Sequence, residues 1–170
     1  MHMAKNSTKI IALISVMSAL GNALGLLSIR LPSAPGTVVE FHISALPALL
    51  LAVTVGPLTG ALTGALSLIM ATVKIGNVFI PFGNALLAYV AGLFSKKFKF
   101  PPSVSGAVAM VPYTPYMWFA CLIYGVPEPI IAFIVVKAFI EVLISSTLVE
   151  FILLRREVKD FLTNIGNKLK

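Results

Sequence analysis

Charge is scarce in this sequence: only 11% of its 170 residues are Asp, Glu, Lys or Arg, where soluble domains carry about a quarter. A water-soluble globule is excluded on that ground. Cysteine is almost absent too. The single Cys121 lies inside an apolar stretch, so no internal disulfide can form, and no Cys/His cluster with metal-ligand spacing exists. Six acidic residues offer no pair with metal-binding spacing. Also missing are G-x-S-x-G, H-E-x-x-H and the phosphate-cradling G-x-x-x-x-G-K. Nothing therefore supports catalysis, and without a nucleotide site the chain cannot drive pumping by its own ATP hydrolysis. The formal charge of +7 does not point to nucleic acid, since no basic face interleaved with aromatics is present.

What the chain has is apolar length. Hydrophobic residues make up 58% of it, with a mean hydropathy of +0.99. They gather in blocks that approach the roughly 20 residues a bilayer-spanning helix needs. The pattern predicts one all-α integral membrane domain over residues 1–170, with six transmembrane helices at about 9–28, 43–55, 57–73, 80–95, 104–124 and 129–154. Residues 29–42, polar and proline-rich, read as a long loop. The first block reads as a retained helix rather than a signal peptide, because no small-residue cleavage site follows it. The opening Met1-His2-Met3 is set aside from the functional reading.

Ten of the thirteen Lys and Arg fall in three patches: Lys5 and Lys9; Lys96, Lys97 and Lys99; and Arg155, Arg156, Lys159, Lys168 and Lys170. Each flanks an apolar block, as cytoplasmic loops do. The first two patches must then be separated by an even number of crossings. That parity favours two helices over one across residues 43–73. Gly56-Pro57 supplies the break, since the residue before proline is pushed out of the helical region. The expectation is a multi-pass protein of the cell membrane with both termini cytoplasmic.

Three groups of residues invite a functional reading. Ala19 and Ala23, four apart with Ser15 extending the row, and Gly56, Gly60 and Gly64, with the same spacing, let helix backbones approach closely. Internal packing is the expectation for the glycines, whereas the alanine row suits an internal or an external partner helix equally. Lys137 and Glu141 share a face of the last helix. Charges at that depth usually face each other or a cavity, so the pair is either a structural couple or a donor to a bound polar solute. Toward the outer side lie Glu40, Phe41, His42, Asn77, Asn84, Tyr116, Trp118 and Tyr124, a mixture of aromatic and hydrogen-bonding groups that suits a small-molecule pocket.

The runs VEFHISALPALL (39–50), VGPLTGALTG (55–64) and GNALLAYVAGL (83–93) resemble the S component of energy-coupling factor (ECF) transporters, and most of all its riboflavin-transporter branch. The family's plan has an extended or sheet-like first loop leading into an S-x-x-P-x-L-L helix, then G-P-x-x-G-x-x-x-G. The resemblance implies a six-helix bundle that captures a vitamin or related small heterocycle, riboflavin-like as a first guess, in an outward-facing pocket. It implies docking onto a transmembrane scaffold subunit with two ATPase subunits, which use the ATP; no intrinsic cofactor or metal is implied. It assigns Ala19 and Ala23 to the scaffold contact, Glu40 and Phe41 to a lid over the pocket, and Lys137 and Asn84 to ligand contact. The family's acidic residue in S-D-x-P is replaced here, where the run reads Ser44-Ala45-Leu46-Pro47, and Glu141 follows Lys137 by one turn where the branch has an acid one turn earlier. Against this stand two other readings: a stand-alone scaffold or membrane enzyme, and a self-sufficient permease. An internal inverted repeat would favour the permease, and none is evident.

Overall fold

A computed structural model describes residues 2–34, 37–155, 157, 158, 160 and 164, with backbone alone for 2–7, 33, 34 and 37. The chain runs α1 (His2–Leu26), β1 (Ile29–Ala34), β2 (Thr37–Phe41), α2 (Leu46–Thr54), α3 (Pro57–Ser67), α4 (Ile69–Ile75), α5 (Ile80–Lys97), α6 (Pro102–Ile123) and α7 (Glu128–Leu154). Among the described residues four stretches are long and apolar enough to cross a membrane: Thr8–Leu26, Pro57–Ile75, Pro102–Ile123 and Glu128–Leu154. Of the basic C-terminal patch, Arg156, Lys159, Lys168 and Lys170 lie outside the described residues, and at Lys5 only the backbone is described.

The stretch read from its composition as a loop, and from the family resemblance as extended or sheet-like, is a β-hairpin. Strands β1 and β2 pair antiparallel, with Ile29 opposite Phe41, Arg30 opposite Glu40 and Leu31 opposite Val39, and the register slips between Pro32 and Ala34. Thr37, Val38 and Val39 favour the pleated conformation. Pro32, which has no N–H to donate, is tolerated because a two-stranded ribbon has only edges. Such a ribbon is marginal by itself, so its stability depends on what its root is tied to.

Helix α2 carries Pro47 in its first turn and buries every residue from Pro47 to Thr54. At nine residues it is about 14 Å long, roughly half of what a bilayer crossing needs. It lies inside the bundle, where Leu49, Leu50 and Val53 join Leu87, Ala109, Met110 and Val142 in the main core. The Lys96 ammonium donates to the Thr54 carbonyl at 2.6 Å, meeting the negative end of the helix with a cation.

Close approach is built from small residues. A Cβ at Gly64 would stand 2.7 Å from the Asn84 carbonyl oxygen, and one at Gly92 would stand 2.9 Å from that of Ala52. A Cβ at Gly60 would collide with Ala52, whereas Gly56 faces open space. Two of the three glycines in the row therefore serve internal packing, as expected.

The expected helix over 57–73 is two helices with a break at Leu68 (φ −119°, ψ 19°). Hydroxyls in it bond back one turn: Thr63 to the Thr59 carbonyl, Ser67 to that of Thr63 and Thr72 to that of Leu68. This habit bends helices. Asn22 of α1 spans the break, its amide donating to the Leu66 carbonyl at 2.8 Å while its oxygen accepts from the Met70 N–H at 3.1 Å. Helix α4 then ends at Gly76, whose φ of 75° is left-handed, the conformation that closes helices at glycine.

Candidate functional site

The root of the hairpin is fastened to α7. Lys137 lies nine residues into α7, which runs for 27 residues from Glu128, placing it about 14 Å along the helix axis and a third of the way down it. Its ammonium binds the Glu141 carboxylate at 2.8 Å and also donates to the Glu40 main-chain carbonyl at 2.8 Å. The other Glu141 oxygen accepts from the His42 main-chain N–H at 2.5 Å. Side-chain exposure is 12% for Lys137 and 9% for Glu141. Each charge is thus paired and hydrogen-bonded, the condition under which buried charges are tolerated.

His42 adds a neutral group. Burial, reinforced by the nearby Lys137 charge, pushes its imidazole down from 6.5 to about 4. The ring nitrogen Nδ1, 3.8 Å from Glu141, therefore makes no ion pair with it near pH 7, and lies 2.9 Å from the Ser44 hydroxyl. The Glu40 carboxylate itself binds Lys74, from the end of α4, and sits 3.8 Å from the Arg30 guanidinium. The Lys74 ammonium holds its carboxyl below the usual range. Phe41 sits between the two main-chain groups that α7 grips.

The structure therefore brings Glu40, Phe41, His42, Lys137 and Glu141 to one place. The other expected residues lie elsewhere. Asn77 accepts from the Phe79 N–H at 2.9 Å and opens α5. Tyr116 donates to the Phe79 carbonyl at 2.8 Å, and Tyr124 donates to the Gly76 carbonyl and accepts from the Val78 N–H, both at 3.1 Å. The two tyrosines hold the α4–α5 turn against α6. Asn84 is 3% exposed and donates to the Gly64 carbonyl at 2.9 Å, joining α5 to α3. Trp118 is half-buried on α6. Sequence reasoning passed over Ser44, Lys74, Arg30 and the cross-helix role of Asn22. An acid–base match across the loop, Glu40 against Lys74, was the available signal for one of them.

Ser15, Ala19 and Ala23 are all exposed, while Ile14, Ser18 and Gly21 on the opposite face of α1 are buried. The small-residue row therefore faces away from the bundle. Two shallow clefts of about 230 and 260 Å³ lie along α7 around Thr147 and Phe151, one of them beside Ser103 and Glu150, remote from the Lys137 cluster. Glu150 accepts there from the Ser103 N–H and hydroxyl, at 3.2 and 2.6 Å. Among the described residues no group of three His, Cys, Asp or Glu could hold a metal ion.

Long apolar helices and a hairpin anchored to a buried ion pair on α7 define a small multi-pass membrane protein. No family model matches the chain, and no curated protein matches it. Among solved structures it is similar to the S component of a bacterial ECF transporter, at 22% identity and a TM-score of 0.62, over 92% of this chain and 98% of that one. The fold is that of an S component.

Proposed function

We propose that this chain is the substrate-binding subunit of an ECF-type importer, a transport subunit rather than an enzyme. The observation that carries the reading is the Lys137–Glu141 pair, buried within an apolar helix and bonded to the root of the hairpin, within an S-component fold. Intramembrane ionisable groups commonly mark solute pathways. The hairpin is the lid, and the ligand, a vitamin or related small heterocycle, sits beneath it against Lys137 and Glu141. Riboflavin is the first compound to try.

In this reading the chain passes through the bilayer six times, with α1, the segment that contains the short buried α2, the α3–α4 pair, α5, α6 and α7, and both termini are cytoplasmic. The exposed row of Ser15, Ala19 and Ala23 is the face offered to the scaffold subunit. The two ATPase subunits of that assembly use the ATP. The test is to purify the chain in detergent and identify what remains bound, by absorbance and mass spectrometry, and to screen vitamins by thermal shift. A stoichiometric heterocycle with co-purifying ATPase subunits is expected. An empty chain that ignores the panel and assembles with no ATPase would sink the proposal.

A further inference from the structure

The turn that joins α5 to α6 carries the run Phe94-Ser95-Lys96-Lys97-Phe98-Lys99-Phe100, with three lysines, three phenylalanines and no acid. The rings are stacked. The Phe94 and Phe98 centroids are 5.1 Å apart with planes at 28°, and Phe100 lies 6.1 Å from Phe94 and 6.0 Å from Phe98. The Lys97 ammonium stands 5.7 Å from the centre of the Phe98 ring, within reach of cation–π attraction. At Lys99 the backbone reverses with a left-handed φ of 56°, a conformation that glycine or asparagine adopts more cheaply than lysine. The reversal returns Phe100 to Phe94.

The stack is left uncovered. Phe98 is 51% and Phe100 38% exposed, and Lys97 and Lys99 are exposed beside them. Lys96 points elsewhere: its ammonium donates to the Thr54 carbonyl at 2.6 Å, which pins the turn to the end of α2. Glu150, which reaches the first turn of α6, is engaged by the Ser103 N–H and hydroxyl. Position matters as much as composition. Helix α6 is apolar enough to cross a bilayer and begins at Pro102, two residues past Phe100. The rings therefore lie where hydrocarbon gives way to headgroups, a zone that favours aromatic side chains and in which lysines meet lipid phosphate.

We infer that the α5–α6 turn is a built site for an anionic phospholipid. Phe98 and Phe100 lie against the glycerol and the upper acyl chain, while the Lys97 and Lys99 ammonium groups hold the phosphate. A lipid suits the site better than an acidic protein does, because the exposed rings continue the apolar surface of α6 that acyl chains already cover. Through Lys96 the bound lipid also steadies the C-terminal end of α2. None of this depends on what cargo the chain carries.

The test uses the full chain in nanodiscs of phosphatidylcholine, or of an equimolar mixture with phosphatidylglycerol, and counts the lipids retained on the released protein by native mass spectrometry. Wild type is expected to retain phosphatidylglycerol in preference to phosphatidylcholine and to melt at a higher temperature in the mixture. Lys97→Gln with Lys99→Asn removes both charges and keeps a residue that tolerates the left-handed turn. That variant should melt like wild type in phosphatidylcholine and lose the preference, by about fivefold for each lysine, the scale of one basic residue at an anionic surface. Phe98→Leu with Phe100→Leu keeps the charge but removes the stacked rings, and should weaken retention too. Amide exchange over residues 96–100 should slow in the mixed bilayer. Neutralising Lys5 and Lys9 is the control for diffuse attraction, and a loss there as large as that at the turn overturns the inference. So does a preference untouched by both turn variants, or full displacement of the lipid by inorganic phosphate.

Discussion

Neutralising one member of the Lys137–Glu141 pair should cost more than neutralising both. Lys137→Met keeps the apolar stem and removes the ammonium, leaving Glu141 buried with one oxygen on the His42 N–H and the other unpaired. Glu141→Gln keeps an acceptor for His42 but leaves the Lys137 charge without its counter-ion. Removing one partner of a buried pair typically costs about 3–5 kcal/mol, so two independent losses would sum to about 6–10 kcal/mol. In the double variant no charge remains and the amide oxygen introduced by Glu141→Gln still accepts from His42. The main loss is then the donor to the Glu40 carbonyl, about 1–3 kcal/mol. The cycle should therefore show a coupling of at least about 3 kcal/mol. Unfolding in mixed micelles can be followed by the fluorescence of Trp118, the only tryptophan. If the double variant loses the sum of the singles, to within about 0.5 kcal/mol, the two charges do not sustain each other and the reading of the site is wrong.

Other consequences are open to measurement. Ala19→Leu should leave the melting temperature of the isolated chain nearly unchanged, because the row faces outward, yet reduce recovery of scaffold and ATPase subunits; a lowered melting temperature with assembly intact would make the row internal packing. Asn22→Ala removes the bridge across Leu68 and should cost about 1–3 kcal/mol, with faster amide exchange at Met70; unchanged exchange there would refute the bridge. His42 is held neutral, its value lowered from 6.5 to about 4, so the unfolded chain binds more protons between those values. Its contribution is complete above pH 6.5 and is lost as pH falls toward about 4. Melting curves across that window should flatten in His42→Gln, and an unaltered pH dependence would show that His42 is not the group responsible.

The large divisions of this molecule were legible because they rest on strong signals. Apolar runs bounded by basic patches located α1, α5, α6 and α7 to within a few residues, apart from the start of α1, and Gly56-Pro57 separated α2 from α3. The break at Leu68 escaped notice because it has no proline or glycine. It arises from hydroxyls bonding back along the helix and from Asn22 reaching across from α1, which are tertiary facts. The hairpin was read as a loop since Pro32 and the charges of Arg30 and Glu40 obscure a short alternating pattern. At the site, Lys137 and Glu141 were legible as an i, i+4 pair in an apolar helix. Their partners were not: they are main-chain atoms of Glu40 and His42, and main-chain groups look alike at every position of a sequence. Asn84 shows the same limit, since the partner of its amide is the main-chain carbonyl of Gly64 on a neighbouring helix.

Helix α2 bears on how the protein is made. A nascent apolar segment is retained in a bilayer when it can cover the hydrocarbon by itself, and this one reaches about half the way. Its nine residues present almost no surface to lipid, so the oil around the protein contributes little to holding it. The environment that suits α2 is created only when α3, α5 and α7 have gathered around it. Biogenesis must therefore carry α2 in alongside longer neighbours and finish its placement after they arrive, which makes the most protected segment of the mature protein the most dependent one during synthesis.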